Sequence, residues 1–459
     1  MSRGILAVGA YAPRNRIPAE AFEDAWGRFE PSGIERTAVP DADEDALTMG
    51  VEAARRALSA GDVEGAALSS LSFASTTPPL SEEDLTARLG SYLGADPAAA
   101  RRTYGGHTRA GLDALLDAVD RDGLALVVAA DCPRGEPDDA REHAAGAGAA
   151  ALLVGDGAPA TVEGRASETD PRPGTRFRRQ GSDRLEGLDV GSYDRAAFVE
   201  PIAAAVDRVD ADDPDAVALQ APDGKLPYRT DLDGEAIAAV ETVSELGDTG
   251  AASVPLGVAR AFETDRDPTL AVAWGSGAGA TAVRIEGTAP VASSLAAEAE
   301  LDYPEYLRRR GDVVGDEPGG GAAHVPVPTY RRSLPQRHRH EAGRCPDCGA
   351  VAFPPEGACP DCRELVEFEA VEPAREGVVE TATTIGRGGA PPEFAEQQAR
   401  QGAFGVAVAR FEAGDGAVSL PIQVVGEAAV GDRVTAVPRR VYVEEGVPRY
   451  GLKALPDAQ

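Results

Sequence analysis

Lysine is nearly absent from this chain of 459 residues: Lys225 and Lys453 are the only two, although Lys and Arg together number 45. Acidic residues number 76 and are spread along the whole length, giving a formal net charge of −31. A surface of that sign repels nucleic-acid phosphates and anionic lipid headgroups, so neither nucleic acid nor a membrane is expected as a partner. Concentrated salt screens the self-repulsion that such a charge creates in dilute buffer. The composition therefore reads as adaptation to a halophilic cytosol, with an ordinary acidic protein of a GC-rich genome as the alternative. Long apolar runs are missing too. Nothing approaches the roughly 20 residues that cross a bilayer, and the opening MSRGILAVGAYAPRNRIP turns polar too soon for a secretory h-region. A soluble cytoplasmic protein is expected. Cysteine is scarce as well: four of the five lie between positions 345 and 362 and Cys132 stands alone, which argues for a metal site rather than a disulfide framework.

The length excludes a single core and suggests two to four structural units at about 100–200 residues each. Short apolar runs beside Ala-rich amphipathic stretches give α/β patterning over the first 290 or so residues. A strand opens the chain, a helix is expected over 43–60, a buried strand over 66–74, and a strand over 124–130 followed by a helix over 138–154. A second round follows, with helix 195–209, strand 216–221, helix 233–246 and strand 270–277 running into a Gly-rich turn, so two similar halves are expected over 1–165 and 166–310. The pattern then dissolves into the Gly/Pro-rich GDVVGDEPGGGAAHVPVP, read as a linker over 311–336. A cysteine-bearing segment over 337–368 precedes a region, 369–459, in which five alternating segments are separated by turn residues at strand spacing, the pattern of a small barrel of OB type.

In GRCPDCGAVAFPPEGACPDC, two CPDC knuckles place Cys345 and Cys348, then Cys359 and Cys362, at matching spacing. Two such knuckles joined by a hairpin bring four thiolates to the corners of a tetrahedron, the geometry of structural zinc with no open coordination position. A rubredoxin-type iron centre and a redox dithiol pair are the other readings, the latter without the βαβ context it needs. His338 and His340 lie just upstream. Since four cysteines complete a site, these histidines are expected on a solvated basic edge.

Several segments together are similar to the archaeal branch of the hydroxymethylglutaryl-CoA synthase family, relatives of ketoacyl synthase III in the thiolase superfamily. YAPRNRI resembles the family's opening strand-turn, DEDALTMGVEAARRAL its first long helix, GDTGAASVPLGVARAF the segment before its last helix, and WGSGAGATAV its final Gly-rich strand-turn. Residues 325–455 resemble the zinc-ribbon and OB-fold proteins that associate with acyl-CoA enzymes. The resemblance implies a thiolase-like fold of two βαβ halves in αβαβα layers, followed by a zinc ribbon and a small OB-type barrel.

Family chemistry uses a cysteine at a helix N-terminus, where backbone N–H groups favour the thiolate and its oxyanion. Matching the family's C-x-A-G pattern to HTRAG puts Thr108 in the cysteine's place, and a threonine hydroxyl is a poor acyl acceptor without a strong adjacent base. The family's glutamate position is Thr76 in ASTTPP, its histidine position is Gln220 in LQAPDGKLP, and the asparagine of its Gly-Asn pair reads as Asp248. None of the three family catalytic groups is retained, which implies a pseudoenzyme. An arrangement in which His107 activates Thr108 is the rival, and Cys132 is read as a small buried side chain.

Lys225 stands at the family's lysine near the CoA entrance, either touching a phosphate or pantetheine carbonyl or lying in solvent on a turn. Gly275 and Gly277 fit backbone approach to an acyl oxygen and equally a tight turn. Glu142 and His143 are read as a solvated charged pair. The implied ligand is acyl-CoA and the implied metal is structural zinc. The implied partners are a second copy, an active synthase-like paralogue or a thiolase, serving isoprenoid-precursor or related acyl metabolism. The alternative is an active acyltransferase with an altered, cysteine-independent mechanism.

Overall fold

Strands buried on both faces read as near-continuous apolar runs, and ALVVAAD and TLAVAWG, apolar but for Asp131 and Thr269, are buried at all seven positions in each case. The computed structural model describes residues 3–209, 213–313, 327–386, 394–444 and 446–457. The chain divides into two compact units, Met1–Tyr306 and Leu307–Gln459, taken separately below. No described helix is long and apolar enough to cross a membrane.

The first unit is built on a ten-stranded sheet. Its strands are β1 (Arg3–Tyr11), β2 (Ser70–Ala74), β3 (Ala100–Tyr104), β4 (Ala125–Asp131), β5 (Gly148–Asp156), β6 (Ala160–Glu168), β7 (Ala216–Leu219), β8 (Thr269–Gly275), β9 (Gly279–Glu286) and β10 (Val291–Ser294). The order is β3-β2-β4-β5-β1-β6-β9-β8-β7, with β10 pairing on β1. Two halves repeat one pattern. In the first, β2 runs parallel to β4, β4 antiparallel to β5, and β5 antiparallel to β1. In the second, β7 runs parallel to β8, β8 antiparallel to β9, and β9 antiparallel to β6. The halves meet where Gly4 and Ile5 of β1 pair with Thr161 and Ala160 of β6.

Five helices complete the layers: α1 (Ala46–Ala60), α2 (Leu85–Leu93), α3 (Ala110–Val119), α4 (Gly191–Val206) and α5 (Ser253–Glu263). Helices α1 and α2 cover the outer face of the first half, α4 the outer face of the second, and α3 and α5 pack on each other between them. This is the thiolase-like αβαβα arrangement. Helix α1 begins at 46 rather than 43 because Asp45 caps it. The Asp45 carboxylate accepts from the Thr48 N–H at 3.1 Å while the Asp45 N–H donates to the Thr48 hydroxyl at 2.9 Å, a reciprocal box that satisfies two end donors.

The stretch 138–154 departs from expectation. It contains only a five-residue helix, Ala140–Ala144, and then becomes β5. Strand β5 lies between β4 and β1 with helices on both faces, so small apolar residues at every position erase the alternation that marks a strand and leave a helix-like Ala-rich string. Glu142 and His143, expected in solvent, are 1% exposed. Glu142 accepts from the Gly135 N–H at 2.5 Å and from the Tyr306 hydroxyl, and the His143 ring lies 4.5 Å from that of Phe22. Burial holds the His143 imidazole below its usual value. The helix expected over 233–246 is broken into Gly234–Ala238 and Val243–Leu246.

In the second unit, residues 314–326 of the expected linker lie outside the described residues. Its last part is helical rather than structureless, with short helices over Val327–Arg332 and Leu334–Arg339. His338 and His340 are buried, not on a solvated edge; the His340 ring sits 5.4 Å from that of Phe411, an apolar surface that shields it from water. Three short strands, Val351–Ala352, Ala342–Arg344 and Glu369–Val371, form the ribbon's sheet. The strands Glu376–Ile385, Phe404–Ala413, Gly416–Val424, Arg433–Glu444 and Val447–Pro456 close into a five-stranded barrel in the order first-second-third-fifth-fourth. Alternate residues of the second and third strands, among them Ala409, Phe411, Leu420 and Ile422, are buried.

Candidate functional site

Parallel neighbours end on the same edge of a sheet, and in open α/β sheets that carboxyl edge is where ligands sit. Here β3, β2 and β4 are parallel neighbours, as are β7 and β8. Thr76 follows β2, His107 and Thr108 follow β3, Asp131 ends β4, Gln220 follows β7, and Ser276 follows β8.

Asp131 organises this edge. Its side chain is fully buried and its carboxylate takes six hydrogen bonds. The Ser75 hydroxyl, the Thr76 N–H, the Thr77 N–H and the Thr77 hydroxyl donate to Oδ1 at 2.7–2.8 Å. The Thr76 hydroxyl at 2.8 Å and the Ala251 N–H at 2.7 Å donate to Oδ2. A carboxylate has about four good acceptor directions, so Asp131 is saturated with hydrogen bonds. Gly250, at φ +54°, is required beside it: a β-carbon there would lie 2.2 Å from Oδ2.

Thr76, Thr108 and Gln220 are tied into this framework. Thr76 donates its hydroxyl to Asp131, as described. Thr108 lies before α3 rather than within it, is 4% exposed, and donates its hydroxyl to the Trp274 carbonyl at 2.5 Å. Gln220, 1% exposed, donates its amide to the Gly250 carbonyl at 3.0 Å. Asp248 accepts from the Gly250 N–H at 2.9 Å and is paired with Arg176. Burial raises the Asp248 carboxyl above the ordinary carboxylate range, and Arg176 opposes that shift. Burial also lowers the His107 imidazole, whose Nδ1 has no hydrogen-bond partner among the described residues. No hydrogen bond joins His107 to Thr108 among the described residues. Cys132, expected to be a buried apolar group, is half-buried, with the Thr77 hydroxyl 3.9 Å from its Sγ.

Two cavities open at this edge. One, of about 520 Å³, is lined by Thr76, His107, Thr108 and Ser276 together with Arg176 and Arg178. The second, of about 390 Å³, holds Lys225, Asp248 and Trp274. Arg176 lines both, so the structure brings Thr76, Thr108 and His107 together and places Lys225 on the far side of that arginine. Lys225 is exposed on a turn in which its own N–H and that of Leu226 donate to the Asp223 carboxylate at 2.7 and 2.8 Å. Gly275 allows a close approach, since a β-carbon on it would lie 2.9 Å from that of His107, and Gly277 turns the chain at φ +68°. Between them, Ser276 Oγ accepts from the Thr175 hydroxyl at 2.7 Å and the Arg176 N–H at 3.2 Å.

Sequence reasoning missed Asp131 and the segment after β6 that supplies Arg176 and Arg178. Asp131 was visible as the one charge closing a continuous apolar strand. RPGTRFRRQGSDR was visible as a basic run within an acidic chain.

In the second unit the four cysteine sulfurs lie within 4.8 Å of one another. Cys345 and Cys362 are 3.8 Å apart, and Cys348 and Cys359 3.6 Å. A tetrahedral metal with sulfur ligands at about 2.3 Å needs sulfurs about 3.8 Å apart, so the cluster fits one such ion. The two knuckles are alike: the Cys345 N–H donates to the Ala350 carbonyl and the Cys359 N–H to the Glu364 carbonyl, each at 2.8 Å.

Asp131→Asn keeps size and shape but turns one acceptor oxygen into a donor against the Ala251 N–H or the Thr76 and Thr77 amides. The expected loss is about 3 kcal/mol of unfolding free energy, from one orphaned buried donor and the lost charge assistance. Denaturant unfolding of the native and substituted chains in concentrated KCl measures it, and a change below 1 kcal/mol contradicts the role given to this carboxylate.

Residues 332–368 match the ChsH2 rubredoxin-like zinc ribbon domain family. The hydroxymethylglutaryl-CoA synthase of Thermococcus onnurineus is 33% identical over 231 residues, 43% of this chain and 66% of the relative. This chain thus spans just under two thirds of that protein's length. The hydroxymethylglutaryl-CoA synthase of Methanopyrus kandleri is 30% identical over 303 residues, 61% of this chain and 86% of the relative. A crystal structure of an HMG-CoA synthase complexed with CoA superposes with a TM-score of 0.60 at 16% identity, covering 71% of this chain and 94% of that one. With the layered fold and these matches together, the chain belongs to the hydroxymethylglutaryl-CoA synthase family and carries in addition a C-terminal zinc ribbon and a closed barrel.

Proposed function

We propose that this chain binds acyl-CoA thioesters without forming a cysteine-linked intermediate, and serves as a catalytically degenerate scaffold beside an active synthase-like paralogue or a thiolase. One observation carries the reading: the hydroxyls of Thr76 and Thr108 are both spent on the protein's own framework. With Gln220 at the third position, the cavity offers no cysteine and no histidine–nucleophile pair, and the Thr76 hydroxyl is held on a carboxylate shared by five other donors. Binding features persist. Lys225 stands at the rim of the second cavity, where an ammonium suits a phosphate or a pantetheine carbonyl. The similar synthase structure that carries CoA makes such a ligand natural for this fold. In this reading residues 1–165 and 166–310 are the two thiolase-like halves, 311–336 is the connection, 337–368 the ribbon and 369–459 the barrel. The barrel's strand order favours an OB-type assignment, and the near absence of lysine with a net charge of −31 favours a halophilic cytoplasm.

A second reading, acyl transfer without a cysteine, draws on His107, which lines the cavity with a neutral, unpartnered ring nitrogen. Turnover separates the two. With acetyl-CoA and acetoacetyl-CoA in concentrated KCl, a thiol-reactive dye is expected to report no CoA release above the rate without protein. Release over many turnovers, lost in His107→Ala, establishes the second reading and removes the first.

The cysteine cluster is assigned to one structural zinc, held by Cys345, Cys348, Cys359 and Cys362. Elemental analysis is expected to return about one zinc per chain, and Cys359→Ser to lose the metal along with the ribbon's protection from proteolysis. A folded, metal-free chain with four reduced cysteines contradicts the assignment.

A further inference from the structure

The wall of the second cavity is made of two pieces joined through one histidine. Glu30, Pro31 and Ser32 line it from a strip, residues 28–32, that is neither helix nor strand. Glycines in the left-handed region bound that strip, Gly27 at φ +70° and Gly33 at φ +69°. Ala140, Arg141 and Ala144 line the cavity from the helix Ala140–Ala144, which also carries His143. Phe29 anchors the strip inward: its ring stacks on the His143 imidazole at 6.1 Å and 6°, and lies 5.9 Å from the ring of Phe22.

The imidazole is 1% exposed, and its Nε2 faces the Pro137 carbonyl at 3.1 Å. That bond puts the proton on Nε2 and leaves Nδ1 a bare acceptor, buried with no hydrogen-bond partner among the described residues. The charged and titratable groups on the elements around it have other partners. On the strip, Arg28 and Glu30 pair at 3.2 Å. On its own helix, Arg141 pairs with Asp139, and the Glu142 carboxylate takes the Gly135 N–H and the Tyr306 hydroxyl. Tyr303 and Tyr306 set their rings edge-on to Phe22. A proton on Nδ1 therefore creates a buried cation with an N–H that meets no acceptor, a cost removed when the ring reaches water.

We infer that His143 is a proton-sensitive latch on the second cavity: as a neutral imidazole it seats Phe29 and its strip of wall, and as an imidazolium it releases them. The inference goes beyond the acyl-CoA reading and does not depend on it. A released imidazole titrates at its ordinary value of 6.5, whereas burial holds the seated one lower. The seated wall is thus fully favoured above that value and loses ground as the pH falls below it. No covalent step is involved.

Amide hydrogen exchange of the full chain in concentrated KCl tests this. The Gly224 N–H, which donates to the Ser32 carbonyl at 2.9 Å, and the Ala145 N–H, which closes the helix on Glu142, report the two pieces of wall. With each rate divided by its intrinsic rate, exchange at these amides is expected to rise by more than threefold, and up to about tenfold, from pH 7.5 to pH 5.5. A rise of threefold or less overturns the inference. In His143→Gln, which keeps a donor for Pro137 and takes no proton, the ratio is expected to be flat. Should that variant be open at both pH values, His143→Phe, which keeps the ring stack, is expected to be flat instead. The native rise persisting in both variants overturns the inference and moves the effect to another group, such as Asp248 in the same cavity. On the acyl-CoA reading, added CoA slows the same exchange at pH 7.5. No slowing counts against that reading alone and leaves the latch to the pH comparison.

Discussion

The buried carboxylate of Asp131 is the constraint on which the site depends. Six donors from the ends of two other segments converge on it, so the loop after β2 and the turn before α5 are fixed relative to β4 by one side chain. Low dielectric strengthens each of these bonds and makes any missing partner expensive, which is why Gly250 must lack a β-carbon. The same interaction holds the Thr76 hydroxyl in the framework. In the proposed reading, a hydroxyl held on this carboxylate serves the framework rather than a bound thioester.

The remaining positions follow the same logic. Thr108 is held by the Trp274 carbonyl, and Gln220 by Gly250, so these groups serve as joints between segments rather than as reagents. Asp248 is an acid buried beside Arg176. The pair satisfies both charges and places the arginine on the wall shared by the two cavities. The polar groups at this edge are turned inward to hold the fold.

Much of the architecture was legible because it rests on strong local signals. The CPDC knuckles announce a sulfur tetrahedron. The five barrel strands show alternation bounded by turn residues, and β8 is a continuous apolar run closed by glycine. What was not legible depends on neighbours remote in sequence. The stretch 138–154 reads as helix because alanine suits either structure, and only its place between β4 and β1 makes it a strand. Glu142, His143 and His340 look like surface residues by type, and their burial is decided by Tyr306, Phe22 and Phe411, which no spacing rule brings near. Arg176 and Arg178 lie on a loop whose path into the cavity has no periodic signature.

The central claim is that the Thr108 position forms no covalent acyl-protein intermediate. Intact-mass spectrometry of the full chain, rapidly quenched with acid after incubation with excess acetyl-CoA in concentrated KCl, tests it most directly. The account predicts a single species at the unmodified mass. An acetylated species that peptide mapping assigns to Thr108 contradicts it, and makes this a member of the family that replaced its nucleophile rather than lost it.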